Sequence, residues 1–356
     1  MLDKERFWNT APVLAISGFS GSGKTTLIEQ MIPHLLERGL KIAVLKHDVH
    51  GVQIDRQGKD SDRFYQAGAD VMLHGPGDHF MRLHERGEPQ LLQTLMELSR
   101  RYDLVLVEGH KETPLPKIWL QDEHGTPPPE DKQNIIDIYA RDNQRLPKAL
   151  ALLESWLPER WNKPPVYGCI LIGGKSTRMG RPKHLLEYEG RTWLEHTFER
   201  VGQMTDQLVI VGQGDIPQHL SNYTRLPDIP NVRGPMAGMV AAMRWSPDVS
   251  WLMCACDMPQ ISAEALRWLL AKRTPGVWAT LPDLHNDGFV EPLLAHYDPR
   301  SHTLLEELLS KGMFGPSVLA KHPKVASPVP PCNMTEAWQN VNSPAELETF
   351  EEQECG

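Results

Sequence analysis

The sequence predicts an α/β protein of two domains, each built on a mostly parallel sheet that holds a ligand where the strands end. The chain has 356 residues, more than one hydrophobic core usually serves. An apolar, strand-like run followed by a glycine-rich turn occurs twice, at 13–23 and at 166–174. A proline-rich stretch at 158–165 lies between them. Repeated units of strand, glycine turn and helix are typical of α/β folds.

Composition narrows the class of protein. Hydrophobic residues make up 40% and charged residues 23%, as in ordinary globular domains. Lysine and arginine number 37 against 46 acidic residues, and the net charge of −9 argues against a general binder of nucleic acid or anionic membranes. No apolar run approaches the roughly 18 residues of a membrane span, and residues 1–6 are not followed by an apolar signal segment, so we expect a cytoplasmic protein with no membrane partner. The five cysteines are scattered, which predicts reduced thiols.

Residues 18–25 read G-F-S-G-S-G-K-T and fit the phosphate-loop pattern G-x-x-x-x-G-K-[ST] at every fixed position. Glycines let successive main-chain N–H groups turn inward around phosphate oxygens, at the positive end of the following helix. Lys24 would reach the outer phosphates, and the Thr25 hydroxyl would hold Mg²⁺. The predicted nucleotide-binding residues are Gly18, Gly21, Ser22, Gly23, Lys24, Thr25 and Thr26.

A carboxylate follows a later apolar strand in the same half. The strand predicted at 102–109 delivers Glu108 at its end, in a Walker-B-like arrangement. Such a carboxylate can hold Mg²⁺ through water or orient an attacking water, although it can also be a solvated strand end. Strands are also predicted at 41–45, 114–120 and 134–139. The charged cluster at 46–51 follows the first of these strands and would line the ligand crevice, although it can also be a solvated surface segment. A helix at 146–157 closes the unit, and the prolines of 158–165 should stop any helix from crossing the linker.

These motifs together, in this order and spacing, resemble MobB, the molybdopterin-guanine dinucleotide biosynthesis adapter. They are the phosphate loop, the segments 46–51, 58–61 and 67–69, and Leu106-Val107-Glu108-Gly109-His110-Lys111. The resemblance implies a GTP-binding P-loop NTPase domain over residues 10–157 that assists a guanylyltransferase and pairs as a homodimer. The residues themselves contain no guanine-reading Asn-Lys-x-Asp, so they leave the choice of base open.

The second half begins with another strand and glycine turn. Residues 166–172 form the predicted strand, and Gly173 and Gly174 begin a loop that is not a Walker A because no helix-opening G-K-[ST] follows. The two glycines permit close approach to phosphate, while Arg178 and Lys183 bring cations to a triphosphate. An ordinary glycine turn remains the alternative interpretation.

Asp257 is the strongest candidate for a metal ligand in this half. It follows the apolar run 251–256, and Pro259 prevents that strand from continuing. A carboxylate there can hold Mg²⁺ against α-phosphate oxygens, where nucleotidyl transfer must overcome charge repulsion. The alternative role, an N-cap for the next helix, fits Ser262 better.

The second half resembles MobA, the molybdenum cofactor guanylyltransferase, over residues 166–352. The segments that carry the resemblance are 171–174, 176–183, 234–238, 256–259, 291–295 and 340–347. The resemblance implies a Rossmann-like, doubly wound nucleotidyltransferase domain in which Lys183, Asp257 and Arg178 serve catalysis, Asp257 binds Mg²⁺ and Asn342 lies near the metal or the pterin. The implied GTP-binding residues are Leu171, Ile172, Gly173, Gly174, Lys183, Asp228, Gly234 and Asp257.

Three positions depart from the MobA pattern. Pro182 stands where the family usually has Asp, Ser343 replaces Thr, and the strand at 209–212 lacks an Asn found near the base in some members. Ile172-Gly173-Gly174 favours GTP over CTP, because related cytidylyltransferases tend to carry Ala-Ala-Gly there.

The leading hypothesis is a bifunctional protein in which the second domain transfers GMP from GTP to Mo-molybdopterin and the first is a GTP-binding adapter. Implied partners are GTP, Mo-molybdopterin, and molybdoenzymes or molybdenum-insertion proteins; nucleic acid is not among them. The alternatives are a nucleotidyltransferase that uses CTP or a sugar phosphate, and a non-catalytic GTP-dependent scaffold.

Overall fold

A computed structural model describes residues 4–46, 56–84, 91–173, 182–274, 276–343, 345–348 and 350. Within these residues no helix is both long enough and apolar enough to cross a membrane. The four cysteines that fall inside these ranges are free thiols; Cys169, Cys254 and Cys256 are buried and Cys332 is exposed.

The first half alternates strands and helices around one sheet. Its described elements are α1 (Lys4–Thr10), β1 (Val13–Gly18), α2 (Lys24–Glu37), β2 (Ile42–Lys46), α3 (Asp60–Gln66), β3 (Val71–His74), β4 (His79–Arg82), α4 (Leu91–Ser99), β5 (Leu104–Glu108), β6 (Lys117–Leu120), β7 (Ile135–Tyr139) and α5 (Arg145–Asn162).

The second half continues with a larger sheet. Its described elements are β8 (Val166–Leu171), β9 (Glu187–Tyr188), β10 (Arg191–Thr192), α6 (Trp193–Gly202), β11 (Gln207–Val211), β12 (Thr224–Leu226), α7 (Pro235–Trp245), β13 (Ser250–Ala255), α8 (Ala263–Ala271), β14 (Ala279–Thr280), β15 (Leu294–Tyr297), α9 (Ser301–Ser310) and β16 (Val325–Ala326). Short 3₁₀ helices span Lys183–Leu185, Gln218–Leu220, Pro316–Lys321 and Cys332–Trp338.

The first sheet is wholly parallel, with strand order β2-β5-β1-β6-β7. Leu14 and Ile16 of β1 face one apolar core, and Val13 and Ala15 face the other, as a strand covered on both sides requires. Because β1 is the central strand, the turn that follows it lies between the ends of β5 and β6. The α/β architecture and the strands predicted in this half are confirmed.

The second sheet has the order β12-β11-β8-β13-β15-β14-β16. The strands β12, β11, β8 and β13 are parallel, while β15 runs antiparallel to both of its neighbours. The strands β11 and β13 lie on opposite sides of β8, which makes the ends of these three strands a topological switch point where ligands of such sheets bind. The doubly wound core is confirmed, and the sequence did not indicate its antiparallel strand.

The prediction that prolines end the helix before residue 158 is wrong. Helix α5 runs through Pro158 to Asn162, so most of the predicted linker is helical. Trp156, Leu157 and Trp161 are buried against the first sheet, and this packing outweighs the backbone hydrogen bond that proline removes. The division of the chain near residue 160 into two domains stays a prediction.

A buried charge cluster joins the two sheets. Asp103, directly before β5, is fully buried and accepts hydrogen bonds from Trp278 Nε1 at 2.6 Å, Arg300 Nη1 at 2.7 Å and Lys324 Nζ at 2.5 Å. All three donors belong to the second half. Asp298 holds the other side of the Arg300 guanidinium at 2.6 Å.

Candidate functional site

A cleft of 460 Å³ opens at the switch point of the second sheet. Its walls come from the ends of β8, β11 and β13, the start of α7 and the C-terminal segment. The lining residues are Leu171, Ile172, Gly173, Lys183, Val211, Asp228, Val232, Gly234, Pro235, Ala237, Gly238, Ala255, Cys256, Asp257, Leu293 and Asn342. The cleft has the size and position of a small-molecule site.

Three polar side chains converge in this cleft. Lys183 Nζ donates hydrogen bonds to Asp257 Oδ2 at 2.8 Å and to Asn342 Oδ1 at 2.6 Å. The Lys183 and Asp257 side chains are only 16% and 22% exposed. A 3₁₀ turn after Pro182 carries Lys183, and the turn that follows β13 carries Asp257. The cluster therefore offers one cation to an anionic ligand and two oxygen atoms to a metal ion.

The C-terminal segment is fastened to this cluster by its backbone. Val341 N–H donates to the Asp257 carbonyl at 2.9 Å, and Asn342 N–H donates to Glu346 Oε2 at 2.7 Å. The backbone N–H of Asn342 holds the pKa of Glu346 below its usual range, so the carboxylate stays charged and keeps the Asn342 backbone in place. Residues 159 positions apart are thus joined at one ammonium group.

The other end of the cleft is shaped by the lack of a side chain at residue 238. A Cβ there would lie 2.6 Å from Leu171 Cδ2 and 3.2 Å from Asp228 Oδ1. Gly234, with φ of 72°, turns the chain into α7 at the same wall. Desolvation raises the pKa of Asp228, the one carboxylate at this end of the described cleft.

A second candidate site lies at the end of β1, where α2 begins. Gly21 and Gly23 have φ values of 75° and 90°, which only glycine adopts without strain, and a Cβ at Gly18 would lie 2.5 Å from the Leu120 carbonyl. The loop therefore has the backbone shape that its sequence motif predicted. Ser22 is buried within it, whereas Thr26 is exposed on the first turn of α2.

The metal-binding candidates of this second site lie in contact. Thr25 Oγ1 donates to Glu108 Oε1 at 2.9 Å, and Lys24 Nζ donates to the carbonyls of Phe19 at 2.8 Å and Gly18 at 3.3 Å. Burial, and next the Lys111 charge, lower the pKa of Lys24. The Lys24 ammonium is hydrogen-bonded to neutral carbonyls and lies near the Lys111 cation, so its charge is available to an incoming anion.

Comparisons with known proteins match each half separately. The family model of Molybdopterin guanine dinucleotide synthesis protein B, MobB, matches residues 13–141, and that of the MobA-like NTP transferase domain matches residues 168–325. The chain is 38% identical over 162 residues to the Molybdopterin-guanine dinucleotide biosynthesis adapter protein of Haemophilus influenzae, covering 42% of this chain and 91% of that protein. It is 30% identical over 149 residues to a Probable molybdenum cofactor guanylyltransferase of Bacillus cereus, covering 40% and 74%.

The chain belongs to the MobB and MobA families, one in each half. A Molybdenum cofactor biosynthesis bifunctional protein of Synechocystis is 30% identical over 157 residues, which span 44% of this chain and 45% of that protein. Among solved structures, protein A of molybdopterin-guanine dinucleotide biosynthesis from Archaeoglobus fulgidus is 26% identical, covers 53% of this chain and 98% of its own, and has a TM-score of 0.45. A MobB homologue from Bacillus stearothermophilus is 26% identical, covers 37% and 79%, and has a TM-score of 0.29.

The MobA half brings together most residues predicted from its sequence. Lys183 and Asp257 are paired, and the cleft is lined by Leu171, Ile172, Gly173, Asp228 and Gly234. Gly174 and Arg178 lie outside the described residues, as does most of the predicted cluster at 46–51 in the MobB half. Trp278 and Trp338 are both buried, and Nε1 of each indole donates to a protein oxygen.

Sequence reasoning missed two contacts at these sites. It placed Asn342 near the metal or the pterin and not on Lys183. It also gave no role to Lys111, whose ammonium lies 4.8 Å above the Phe19 ring of the phosphate loop. A lysine three residues after the strand-end Glu108 was the available signal.

Proposed function

We propose that the MobA domain transfers GMP from GTP to Mo-molybdopterin, giving molybdopterin guanine dinucleotide and pyrophosphate. The observation that carries this proposal is the pair of Lys183 and Asp257, which meet at 2.8 Å in the 460 Å³ cleft. We infer the substrates from the names of the guanylyltransferase relatives. The cleft contains the charged groups that a reaction between two phosphates requires.

The transfer needs one displacement at phosphorus. A phosphate oxygen of the pterin attacks the α-phosphorus of GTP, and the bond to the bridging oxygen breaks as pyrophosphate leaves in line. Lys183 offsets the negative charge that builds on the phosphoryl oxygens, and the open backbone at Gly173 lets the phosphates approach β8 closely. Asp228 and Gly238 lie at the other end of the cleft, where the guanosine would fit.

The oxygen atoms at Lys183 fit a magnesium site. Asp257 supplies a carboxylate and Asn342 an amide oxygen, both hard ligands of the type that Mg²⁺ prefers. Among the described residues no group of three His, Cys, Asp or Glu side chains could enclose a metal ion, so phosphates and water would complete its coordination. Mg²⁺, when bound there, offsets phosphate charge and orients the α-phosphate.

In the MobB domain the phosphate loop binds GTP, with Lys24 on the outer phosphates. Thr25 and Glu108, 2.9 Å apart, are the residues that would hold Mg²⁺ at this second site. The domain acts as an adapter for the transferase, and the product passes in the cytoplasm to molybdoenzymes or to molybdenum-insertion proteins.

A homodimer through the MobB domain is the proposed assembly. Apolar side chains are exposed on α3, on the β3–β4 hairpin and just after it: Phe64 is 60%, Met72 59%, Met81 54% and Leu83 47% exposed. An apolar surface of this kind usually belongs to an interface. Sedimentation of the full chain tests this: we expect a dimer, and a monomer for the Met72→Glu, Met81→Glu double variant. A monomeric native chain would contradict the proposal.

Pyrophosphate release tests the transfer reaction. We expect release with GTP only when Mo-molybdopterin is present, little release with CTP, and loss of dinucleotide product in Asp257→Ala. The matched control is Asp131→Ala, which removes an exposed carboxylate of the MobB half. Release with CTP, or with a sugar 1-phosphate in place of the pterin, would support a different nucleotidyltransferase. An unchanged product yield in Asp257→Ala would support a non-catalytic scaffold.

A further inference from the structure

We propose that Arg145 is a positioning residue of the phosphate loop: it holds the peptide between Ser22 and Gly23 so that its N–H points at the nucleotide. The inference rests on the proposed GTP site of the MobB domain. It adds a functional residue about 120 positions beyond the loop motif.

The Arg145 guanidinium lies directly behind the loop. Its Nη1 donates to the Ser22 carbonyl at 2.6 Å, and it would lie 3.2 Å from a Cβ at Gly23. The residue is 9% exposed and occupies the first position of α5. A side chain at residue 23 would therefore press on the guanidinium, which gives the glycine there a second reason besides its φ of 90°.

The direction of this hydrogen bond fixes the direction of the amide. In a trans peptide the C=O and the N–H point in opposite directions. When the Ser22 carbonyl points back to Arg145, the Gly23 N–H points away from it, towards the side of the loop where phosphate oxygens bind. The positive charge on the carbonyl side also polarises the amide and strengthens it as a donor.

The same guanidinium fixes the loop to the edge of the sheet. Nε donates to the Ala140 carbonyl at 2.6 Å and Nη2 to the Gln121 carbonyl at 2.5 Å. Gln121 follows β6 and Ala140 follows β7, so one side chain connects the phosphate loop to the ends of two strands. The planar fork of arginine spreads its donors over three nitrogens and so spans carbonyls on three sides, whereas the donors of a lysine ammonium all leave one nitrogen.

The charge of Arg145 is not neutralised by these contacts, because all of them are to backbone carbonyls. Burial lowers the pKa of Arg145, because removing the guanidinium from water disfavours its charged form. Lys24, Lys111 and Lys46 add three more positive charges at the loop, and among the described residues Glu108 is the acid that acts on Lys24. A polyanion bound to the loop would offset this excess, so the cation contributes to ligand binding.

Titration of the full chain with a fluorescent GTP analogue tests the inference. The chain has two proposed GTP sites, and the binding that is lost in Lys24→Ala is the binding at the phosphate loop. We expect Arg145→Gln to weaken that part about 10- to 100-fold, the range for lost hydrogen bonds to a charged group. GMP, which carries fewer charges, should lose less affinity than GTP. A merely structural role would lower the melting temperature and leave the ratio of the two affinities unchanged.

The matched control is Arg160→Gln. Arg160 is a half-buried arginine on the same helix, at its other end, and within the described residues its hydrogen bonds go to the carbonyls of Trp8 and Asn9. We expect this variant to bind GTP as the native chain does. Binding by Arg145→Gln within twofold of native would overturn the inference and leave the GTP site intact. If Lys24→Ala binds as the native chain does, the proposed GTP site itself fails, and the role of Arg145 fails with it.

A second variant covers a failure of Arg145→Gln to fold. Arg145→Lys keeps the charge but reaches fewer carbonyls, so we expect GTP affinity to fall about threefold or more in a chain that still folds. Native affinity in Arg145→Lys would show that the fork is not needed and would overturn the inference.

Discussion

Asp103 and Arg300 form an ion pair of 2.7 Å although 197 residues separate them in the chain. Both side chains are almost completely buried, at 0% and 3% exposed, and they come from different halves of the protein. A buried charge is tolerated only when it is paired and hydrogen-bonded, so this carboxylate requires its three donors from the MobA half. The contact between the two sheets is therefore specific in its chemistry.

Removal of the carboxylate should destabilise the whole chain. We expect Asp103→Ala to lower the free energy of unfolding by about 3–5 kcal/mol, because Arg300 and Lys324 lose a buried partner. Urea denaturation followed by tryptophan fluorescence measures this. The control is Asp248→Ala, which breaks the more exposed pair with Arg100 between the same halves and should cost under about 1 kcal/mol. Equal costs for the two variants would contradict a special role for Asp103.

Loss of the Lys183 ammonium should slow the transfer reaction. We expect Lys183→Met to reduce the turnover number for dinucleotide formation about 100-fold or more, because charge on the phosphoryl oxygens is no longer offset. Lys311→Met, which removes an exposed lysine paired with Glu307, is the control and should react normally. A turnover number within a few-fold of native in Lys183→Met would assign the lysine to structure alone.

A methyl group at residue 238 should impair GTP binding at the cleft. In Gly238→Ala the new Cβ would press on Leu171 and Asp228, so we expect a higher KM for GTP with a folded protein, since alanine favours helix α7. Gly202→Ala in α6 meets only the flexible Leu208 side chain at 3.1 Å and should leave the KM unchanged. Equal KM values in both variants would show that the cleft wall at 238 does not contact the nucleotide.

Glu108 should matter to nucleotide binding through the metal. The Glu108→Gln variant keeps the volume but loses the charge opposite Thr25, so Mg²⁺ should strengthen GTP binding less in it than in the native chain. Titrations of the nucleotide in Mg²⁺ and in EDTA measure this difference. Glu112→Gln, at a carboxylate that is 77% exposed, is the control. An undiminished effect of Mg²⁺ in Glu108→Gln would remove the residue from the metal site.

Acid should destabilise the MobA half through His296. Burial lowers the pKa of His296 from 6.5 to about 3, so the imidazole stays neutral in the folded chain while the unfolded chain takes up a proton. Stability from this residue is present above pH 6.5 and is lost as the pH falls towards 3, at about 1.4 kcal/mol per pH unit. Urea unfolding between pH 7 and 4 should show a smaller slope in His296→Gln than in the control His124→Gln, whose side chain is 79% exposed. Identical slopes would contradict the prediction.

The parts of the two sites that could be predicted are those whose structure is determined by a short, continuous segment of the sequence. The phosphate loop is one unbroken segment whose glycines and flanks fix its shape, so its residues could be named in advance. Lys183 and Asp257 could be paired because both follow buried strands of one parallel sheet. Asn342 reaches Lys183 through a chain path that no local pattern encodes.

Tertiary packing explains the remaining differences. Pro158 is a helix breaker by its own chemistry, but Trp161 is buried in the core and keeps α5 helical beyond it. The antiparallel β15 reads as an ordinary apolar run, because strand direction depends on how the chain returns to the sheet. In the sequence Asp103 is an ordinary polar residue before a strand, and its buried role follows only from its partners in the other half.

Helix α5 begins with Arg145 behind the phosphate loop, and its last turn carries Trp161, whose indole N–H donates to the Asp103 carbonyl. Its 18 residues form a rod about 27 Å long, in which one residue added or deleted turns one end by about 100° relative to the other. The length of this helix therefore fixes the spacing between the phosphate loop and the contact with the neighbouring half, and a residue inserted between Arg145 and Trp161 would break one of these two contacts.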